Sequence, residues 1–223
     1  MPRKGYAHYI EVLDRTGSMS SPSEPGSTVT KAAVATEGVR SFNDSQKALP
    51  GKATFSAYQF DTTSVDKLAD FADDFTWACS PRNGTPLRDA LGQAITEQAE
   101  AIAALPARQR PERVYVIVAT DGRENSSREW SSAALKNLVK RQTDEHKWEF
   151  VYIGADLDAF EEGAQIGFAA GSTLQTNSAH KGAMAASYAM TADAITRSRA
   201  GGQSVSFTAH ERKMSDYGTD AEE

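Results

Sequence analysis

Apolar and polar positions along the chain follow two alternating patterns, short strand-like runs and longer stretches with helical spacing. Residues 8–14 combine β-branched and aromatic residues and stop at a polar, Gly- and Ser-rich stretch over 14–26, which predicts a strand followed by a loop. Ser27 or Thr28 caps the predicted first helix, whose apolar positions recur at helical spacing as far as about Leu49. This part of the chain is therefore predicted as strand, loop and helix.

Two further runs indicate neighbouring strands joined by a tight turn. Residues 53–60 alternate as a second strand, and 64–68 form a weaker third strand immediately after the turn. A connection this short implies an antiparallel pair, because parallel strands need a crossover of about a dozen residues or more. Residues 113–120 contain the most hydrophobic run of the chain, which is typical of a central parallel strand covered on both faces.

The remaining elements continue the alternation of strands and helices. Helices are predicted from Pro86 onward and at about 129–145, 157–166 and 178–199, and strands at 148–153 and 172–174. Such alternation predicts an α/β fold with a doubly wound, mostly parallel sheet and helices on both faces. In these folds ligands bind in loops at the carboxyl ends of the strands. Residues 1–199 are predicted as one domain, and 200–223 as a flexible extension that is acidic at its end.

Charge and composition narrow the range of partners. Lys and Arg number 24 against 30 Asp and Glu, a net charge of −6, so the chain lacks the basic surplus typical of nucleic-acid-binding proteins. The longest apolar run, 114–119, is far shorter than the roughly 20 residues of a membrane-spanning helix. The single cysteine, Cys79, excludes an internal disulfide, and no secretory signal is visible before the first strand. We therefore expect a cytoplasmic protein that binds neither nucleic acid nor membrane.

Oxygen-bearing side chains adjoin three of the predicted elements. Asp14, Thr16 and Ser18 alternate where the first strand ends, so an extended or turning backbone aims all three to one side. Thr85 stands just before a helix, and Asp121 follows the most hydrophobic strand. Small hard cations, Mg²⁺ above all, prefer oxygen ligands, and hydroxyls coordinate an ion without cancelling its charge. These side chains on three loops at one sheet edge predict a magnesium site, with Mn²⁺ and Ca²⁺ as other candidate ions.

The same residues carry a resemblance to a known family. The motif DRTGSM at 14–19, together with GTPL at 84–87 and TDG at 120–122, resembles the metal-ion-dependent adhesion site (MIDAS) of the von Willebrand factor A (vWA) domain. The resemblance extends over residues 8–199, and parts of it look like small cytosolic members from bacteria and their phages. It implies a Rossmann-like six-stranded sheet of order 3-2-1-4-5-6, with strand three antiparallel.

The resemblance also implies roles for the five residues and a function. In vWA domains the two hydroxyls of the first motif usually bind the metal directly, and the later threonine and acid bind it directly or through water. These roles pass here to Asp14, Thr16, Ser18, Thr85 and Asp121. The implied function is a non-enzymatic, Mg²⁺-dependent protein-binding module, in which an Asp or Glu carboxylate of a partner completes the coordination sphere.

Two positions depart from the family pattern. The family most often has Ser where Thr16 stands, and the added methyl group crowds the site without removing its oxygen. Asn83 stands where Gly is frequent, which puts the geometry of the loop before Thr85 in question.

Two other functions remain open on the sequence alone. A metal-assisted phosphohydrolase would use the same cation as a Lewis acid, but an aspartyl nucleophile at Asp14 would typically have a second acid where Thr16 stands. Cytosolic relatives often serve as adaptors for ring-shaped ATPases, and no residue here selects that partner. The sequence leaves the identity of the partner and the oligomeric state undetermined.

Overall fold

A mixed six-stranded sheet lies at the centre of the computed structural model, which describes residues 1–156 and 158–218. Its strands are β1 (Arg3–Asp14), β2 (Lys52–Asp61), β3 (Ser64–Ala72), β4 (Pro111–Thr120), β5 (Glu149–Ala155) and β6 (Thr173–Thr176). They lie in the order β3-β2-β1-β4-β5-β6, and β3 alone among these described strands runs antiparallel to its neighbour. The predicted topology, including the reversed third strand, is confirmed.

Helices cover both faces of this sheet. They are α1 (Lys31–Ala48), α2 (Leu87–Ala104), α3 (Ser132–His146), α4 (Ala159–Gln165), α5 (Ala183–Gly201) and α6 (Ala209–Tyr217). Successive residues of a strand point to opposite faces, and on β1 both Tyr9 and Ile10 are fully buried. Ile10 belongs to a core shared with α2, α3 and α4, and Tyr9 to a core shared with α1 and α5. Over the described residues, no helix combines the length and apolar character needed to cross a membrane.

The loop after β1 is longer than the sequence pattern predicted. α1 begins at Lys31 with Thr30 as its N-cap, because the Thr30 hydroxyl accepts a hydrogen bond from the backbone N–H of Ala33 at 3.2 Å. The predicted caps, Ser27 and Thr28, lie in the loop instead. Lys31 therefore occupies the first position of the helix, close to the loop that follows β1.

The chain after α5 is packed, in contrast to the flexible extension predicted for 200–223. Val205 and Phe207 alternate with polar residues, so both apolar side chains point to one side, and both are buried in the core shared by α1 and α5. A segment this short carries too little periodicity to be recognised as packed from the sequence. The acidic end, 219–223, lies outside the described residues.

α6 covers the outer edge of the sheet at β6. Arg212 donates to the backbone carbonyl of Thr173 at 2.5 Å, and Ser215 donates to that of Gln175 at 2.9 Å. An uncovered edge strand is a template for pairing with other chains, so α6 protects this side of the sheet from such association.

A capping box stabilises the start of α6. The Thr208 hydroxyl accepts from the backbone N–H of Glu211 at 3.2 Å, and the Glu211 carboxylate accepts from the backbone N–H of Thr208 at 2.8 Å. We expect Thr208→Ala to lower the free energy of unfolding by about 1 kcal/mol, because a helix N–H loses its partner. Urea denaturation measures the change, with Ser204→Ala at an exposed neighbouring position as the control. Equal stability of the two variants would contradict the role assigned to the cap.

Candidate metal centre

Three loops meet at the carboxyl edge of the sheet, where β1 and β4 end. The first loop carries Thr16 and Ser18, whose hydroxyl oxygens are 3.1 Å apart. The Ser18 hydroxyl donates to Oδ1 of Asp121, which follows β4, at 2.5 Å. The parallel pairing of β1 with β4 explains this contact, since it brings the carboxyl ends of both strands to the same edge.

Asp14 is the last residue of β1, and both of its carboxylate oxygens accept hydrogen bonds. Oδ1 accepts from the backbone N–H of Thr16 at 2.7 Å, and Oδ2 accepts from the hydroxyl of Thr120 at 2.5 Å. Burial raises the pKa of Asp14 to about 6; the hydrogen bonds from Thr120 and Thr16 oppose this shift, and the negative charge of Asp121 adds to it. Asp14 is therefore a buried acid beside a second acid, an arrangement that a bound cation would stabilise.

Thr85, in the loop before α2, lies against the loop that carries Asp121. Its backbone N–H donates to the side-chain oxygen of Asn125 at 2.9 Å, and its carbonyl accepts from the backbone N–H of Asn125 at 3.1 Å. A Cβ at Gly122 would come within 2.5 Å of the Thr85 hydroxyl oxygen, so a side chain there would displace Thr85. The structure thus brings all five predicted site residues to one edge of the sheet: Asp14, Thr16, Ser18, Thr85 and Asp121.

Asn83, in the loop before Thr85, has a left-handed backbone conformation. Its φ is +62°, a region that Asn tolerates better than most residues with a side chain. The carbonyl of Asn83 accepts from the backbone N–H of Gly17 at 2.9 Å, and its side-chain amide donates to the hydroxyl of Thr63 at 2.7 Å. Asn83 therefore fits the required backbone and ties the Thr85 loop to the first loop.

Asp61, at the end of β2, joins the same two loops through a buried carboxylate. Its Oδ2 accepts from Nε of Arg15 at 2.6 Å and from Nε of Arg82 at 2.7 Å, and its Oδ1 accepts from the backbone N–H of Thr63 at 2.6 Å. Burial acts to raise the pKa of Asp61, but the hydrogen bonds from Arg82 and Thr63 outweigh it and hold this pKa well below its usual range. Asp61 is therefore an anion that fixes Arg15 in the first loop and Arg82 in the Thr85 loop.

A buried lysine contacts the acid that follows β4. The Nζ of Lys31 lies 3.0 Å from Oδ2 of Asp121 and 2.7 Å from Oδ2 of Asp156, which follows β5. Burial acts to lower the pKa of Lys31, but the hydrogen bonds to Asp156 and Asp121 outweigh it and raise this pKa above its ordinary value. Lys31 therefore places a positive charge beside the candidate site.

The donor set fits a small hard cation. Adjacent ligands of an octahedral ion with bonds of about 2.1 Å are about 3.0 Å apart, and the Thr16 and Ser18 oxygens have this spacing at 3.1 Å. Within the described ranges no cluster of three or more His, Cys, Asp or Glu side chains could hold a metal. Two carboxylates with three hydroxyls suit Mg²⁺, which prefers oxygen ligands.

Sequence reasoning missed several residues that hold this site in place. Asp61 offered a weak signal, because it ends a strand at the same sheet edge as Asp14. Lys31 offered none, since it begins a helix 90 residues before Asp121. Thr120 and Asn125 flank the predicted acid, but their contacts to Asp14 and Thr85 depend on how the loops meet.

Comparisons with known proteins bear on the fold. No family model and no curated protein matches the chain. Among solved structures it is similar to the VWA domain of SpRpn10, with a TM-score of 0.52 and 13% identity over 77% of this chain and 86% of that one. A von Willebrand factor type A protein from Catenulispora acidiphila has a TM-score of 0.56 and 17% identity over 83% of this chain and 42% of that one. Proximal thread matrix protein 1 from the mussel byssus has a TM-score of 0.53 and 16% identity over 88% of this chain and 44% of that one.

The matched regions make up less than half of the second and third of these structures. At such low identities a structural match establishes a shared fold rather than a shared activity. The strand order, the reversed third strand and these similarities agree, and the chain has the Rossmann-like fold of vWA domains.

Proposed function

We propose that this chain is a non-enzymatic protein-binding module that works through a divalent cation, Mg²⁺ first and Mn²⁺ or Ca²⁺ as alternatives. Thr16 and Ser18 would hold the ion directly, and Asp14, Thr85 and Asp121 would complete the protein's share of its ligands. When bound, such a cation supplies an electrophilic centre that accepts an Asp or Glu carboxylate from a partner protein. The observation that carries the proposal is the spacing of the Thr16 and Ser18 hydroxyls beside the Asp121 carboxylate.

The exposure of the site supports capture of a protruding side chain. Ser18 is exposed, whereas Asp14, Thr16 and Thr85 are at most 3% exposed, so an incoming acid group would approach from the side of Ser18. We propose a cytoplasmic location, because a single cysteine cannot form the internal disulfides that are common in secreted proteins.

A calorimetric titration of the chelator-treated protein with Mn²⁺ tests the cation site. We expect one ion to bind, and Ser18→Ala to weaken its binding about tenfold or more, because this exposed residue contributes a ligand without supporting the core. Ser21→Ala, at another exposed serine of the same loop, is the control and should match the wild type. If the wild type bound none of Mn²⁺, Mg²⁺ and Ca²⁺, the cation would have no part in the mechanism.

A displayed peptide library tests the partner half of the proposal. Peptides selected in the presence of Mg²⁺ should contain an essential Asp or Glu. They should lose binding when EDTA is added, and separately when that residue is changed to Asn or Gln. Enriched peptides that bind equally well after both treatments would contradict carboxylate capture.

A further inference from the structure

Lys31 is buried, unlike most lysines, and its ammonium group lies between two acids from different loops. Its side chain is 9% exposed, and its Nζ contacts Oδ2 of Asp121 at 3.0 Å and Oδ2 of Asp156 at 2.7 Å. The Asp121 side chain is fully buried, and that of Asp156 is 32% exposed. Lys31 thus bridges a predicted metal ligand and an acid that belongs to no predicted ligand set.

The backbone on both sides of this bridge is fixed. The backbone N–H of Lys31 donates to the carbonyl of Ser21 at 2.9 Å, at the capped start of α1. Asp156 adopts a left-handed conformation, with φ of +59°, and its carboxylate accepts from both the backbone N–H and the hydroxyl of Ser178. Lys31 and Asp156 are therefore both fixed before they pair. Holding the Lys31 ammonium at Asp121 costs less conformational entropy than forming an exposed ion pair between two flexible side chains.

The two carboxylate oxygens of Asp121 have different partners. Oδ1 accepts from the Ser18 hydroxyl at 2.5 Å, on the side of the candidate metal ligands, and Oδ2 contacts the Lys31 ammonium. A cation held at the hydroxyls and the ammonium of Lys31 would therefore share the charge of one carboxylate. Like charges repel strongly where burial reduces screening by water.

We propose that Lys31 is a built-in counter-ion of Asp121, which weakens the hold of the site on its divalent cation and leaves more of the cation's charge for an incoming carboxylate. This inference rests on the proposed function and concerns the same site. It assigns Lys31 the role of a residue that tunes the strength of the site, acting through Asp121 rather than as a ligand.

The test uses Mn²⁺ and acetate as probes on the full chain. Lys31→Met keeps much of the length of the side chain and removes its charge, so we expect it to bind Mn²⁺ about tenfold more tightly than the wild type. The loaded variant should bind acetate more weakly than the loaded wild type, as measured by the loss of water-proton relaxation enhancement. A purely structural role for Lys31 would weaken binding of both probes, so the opposite signs distinguish the two explanations.

Two further variants control the experiment. Arg123→Met removes a positive charge from an exposed position two residues after Asp121 and should change Mn²⁺ affinity less than twofold. Asp156→Asn leaves Lys31 to act on Asp121 alone and should weaken Mn²⁺ binding about threefold. Lys31→Gln, which removes the same charge, replaces Lys31→Met in the test if that variant does not fold.

The outcomes separate the inference from the proposed function. If the wild type binds no divalent cation, the proposed function fails and the inference fails with it. If the wild type binds Mn²⁺ while Lys31→Met binds it equally or more weakly, or Asp156→Asn binds it more tightly, the inference alone is overturned.

Discussion

Replacing Asp61 by Asn is expected to lower the free energy of unfolding by about 3 kcal/mol. The carboxylate is fully buried and contacts Arg15 at 2.6 Å and Arg82 at 2.7 Å. Removing the buried partner of an ion pair costs several kcal/mol, and the buried Arg15 guanidinium would keep only the partly exposed Asp66 as a counter-charge. The affinity for Mn²⁺ should fall as well, because Asp61 anchors both the first loop and the loop that carries Thr85. Urea denaturation and the Mn²⁺ titration measure the two effects.

Asp66→Asn is the matched control for this prediction. Asp66 also pairs with Arg15, at 2.7 Å, but its side chain is 44% exposed. Exposed ion pairs contribute at most about 1 kcal/mol, since water and salt screen them. We therefore expect Asp66→Asn to cost less than about 1 kcal/mol and to leave Mn²⁺ binding unchanged. Equal losses for the two variants would show that burial of Asp61 is not the cause.

Replacing Glu11 by Gln is expected to raise stability above that of the wild type, increasingly so as the pH rises from about 5 to 8. Glu11 lies on β1 and is 3% exposed, and burial raises its pKa to about 8 from an ordinary value of 4.5. Between these values the folded protein keeps a proton that the unfolded chain has released, so raising the pH favours unfolding. At about 1.4 kcal/mol for each pKa unit, this proton lowers the free energy of unfolding of the wild type at pH 8 by on the order of 4 kcal/mol.

The difference in unfolding free energy between Glu11→Gln and the wild type isolates this group. Other titrating residues, such as the buried His8, contribute equally to both proteins and cancel. Glu145→Gln, at an exposed position of α3, is the control for the substitution itself. Parallel stability curves for Glu11→Gln and the wild type between pH 5 and 8 would contradict a buried, protonated Glu11.

The pattern of apolar and polar residues predicted structure best where an element depends on residues close together in the sequence. The unbroken apolar run at 113–120 predicted a central strand because a strand covered on both faces excludes polar side chains, and β4 occupies that position. The short turn after residue 60 predicted the reversed β3 because a tight connection permits antiparallel pairing alone. The alternation at Asp14, Thr16 and Ser18 likewise predicted three oxygen-bearing side chains where β1 ends.

Prediction failed where a local signal competes with long-range packing. Ser27 and Thr28 are as suitable for a helix cap as Thr30, and the position of α1 against the sheet decided between them. Val205 and Phe207 look like part of an unstructured end until the core beside α5 is in place to bury them. Composition near a terminus is therefore weak evidence for flexibility.

The sequence by itself determined the class of fold, the order in which elements follow one another and the kind of atoms available at the sheet edge, because periodicity and residue chemistry are properties of neighbours along the chain. The tertiary structure alone decided which charges meet there. Asp121 contacts Lys31 across 90 residues, and Arg15 contacts Asp61 across 46. No spacing rule encodes such contacts, since they arise only when the parallel strands bring their carboxyl ends to one edge and burial removes the water that would otherwise screen the charges.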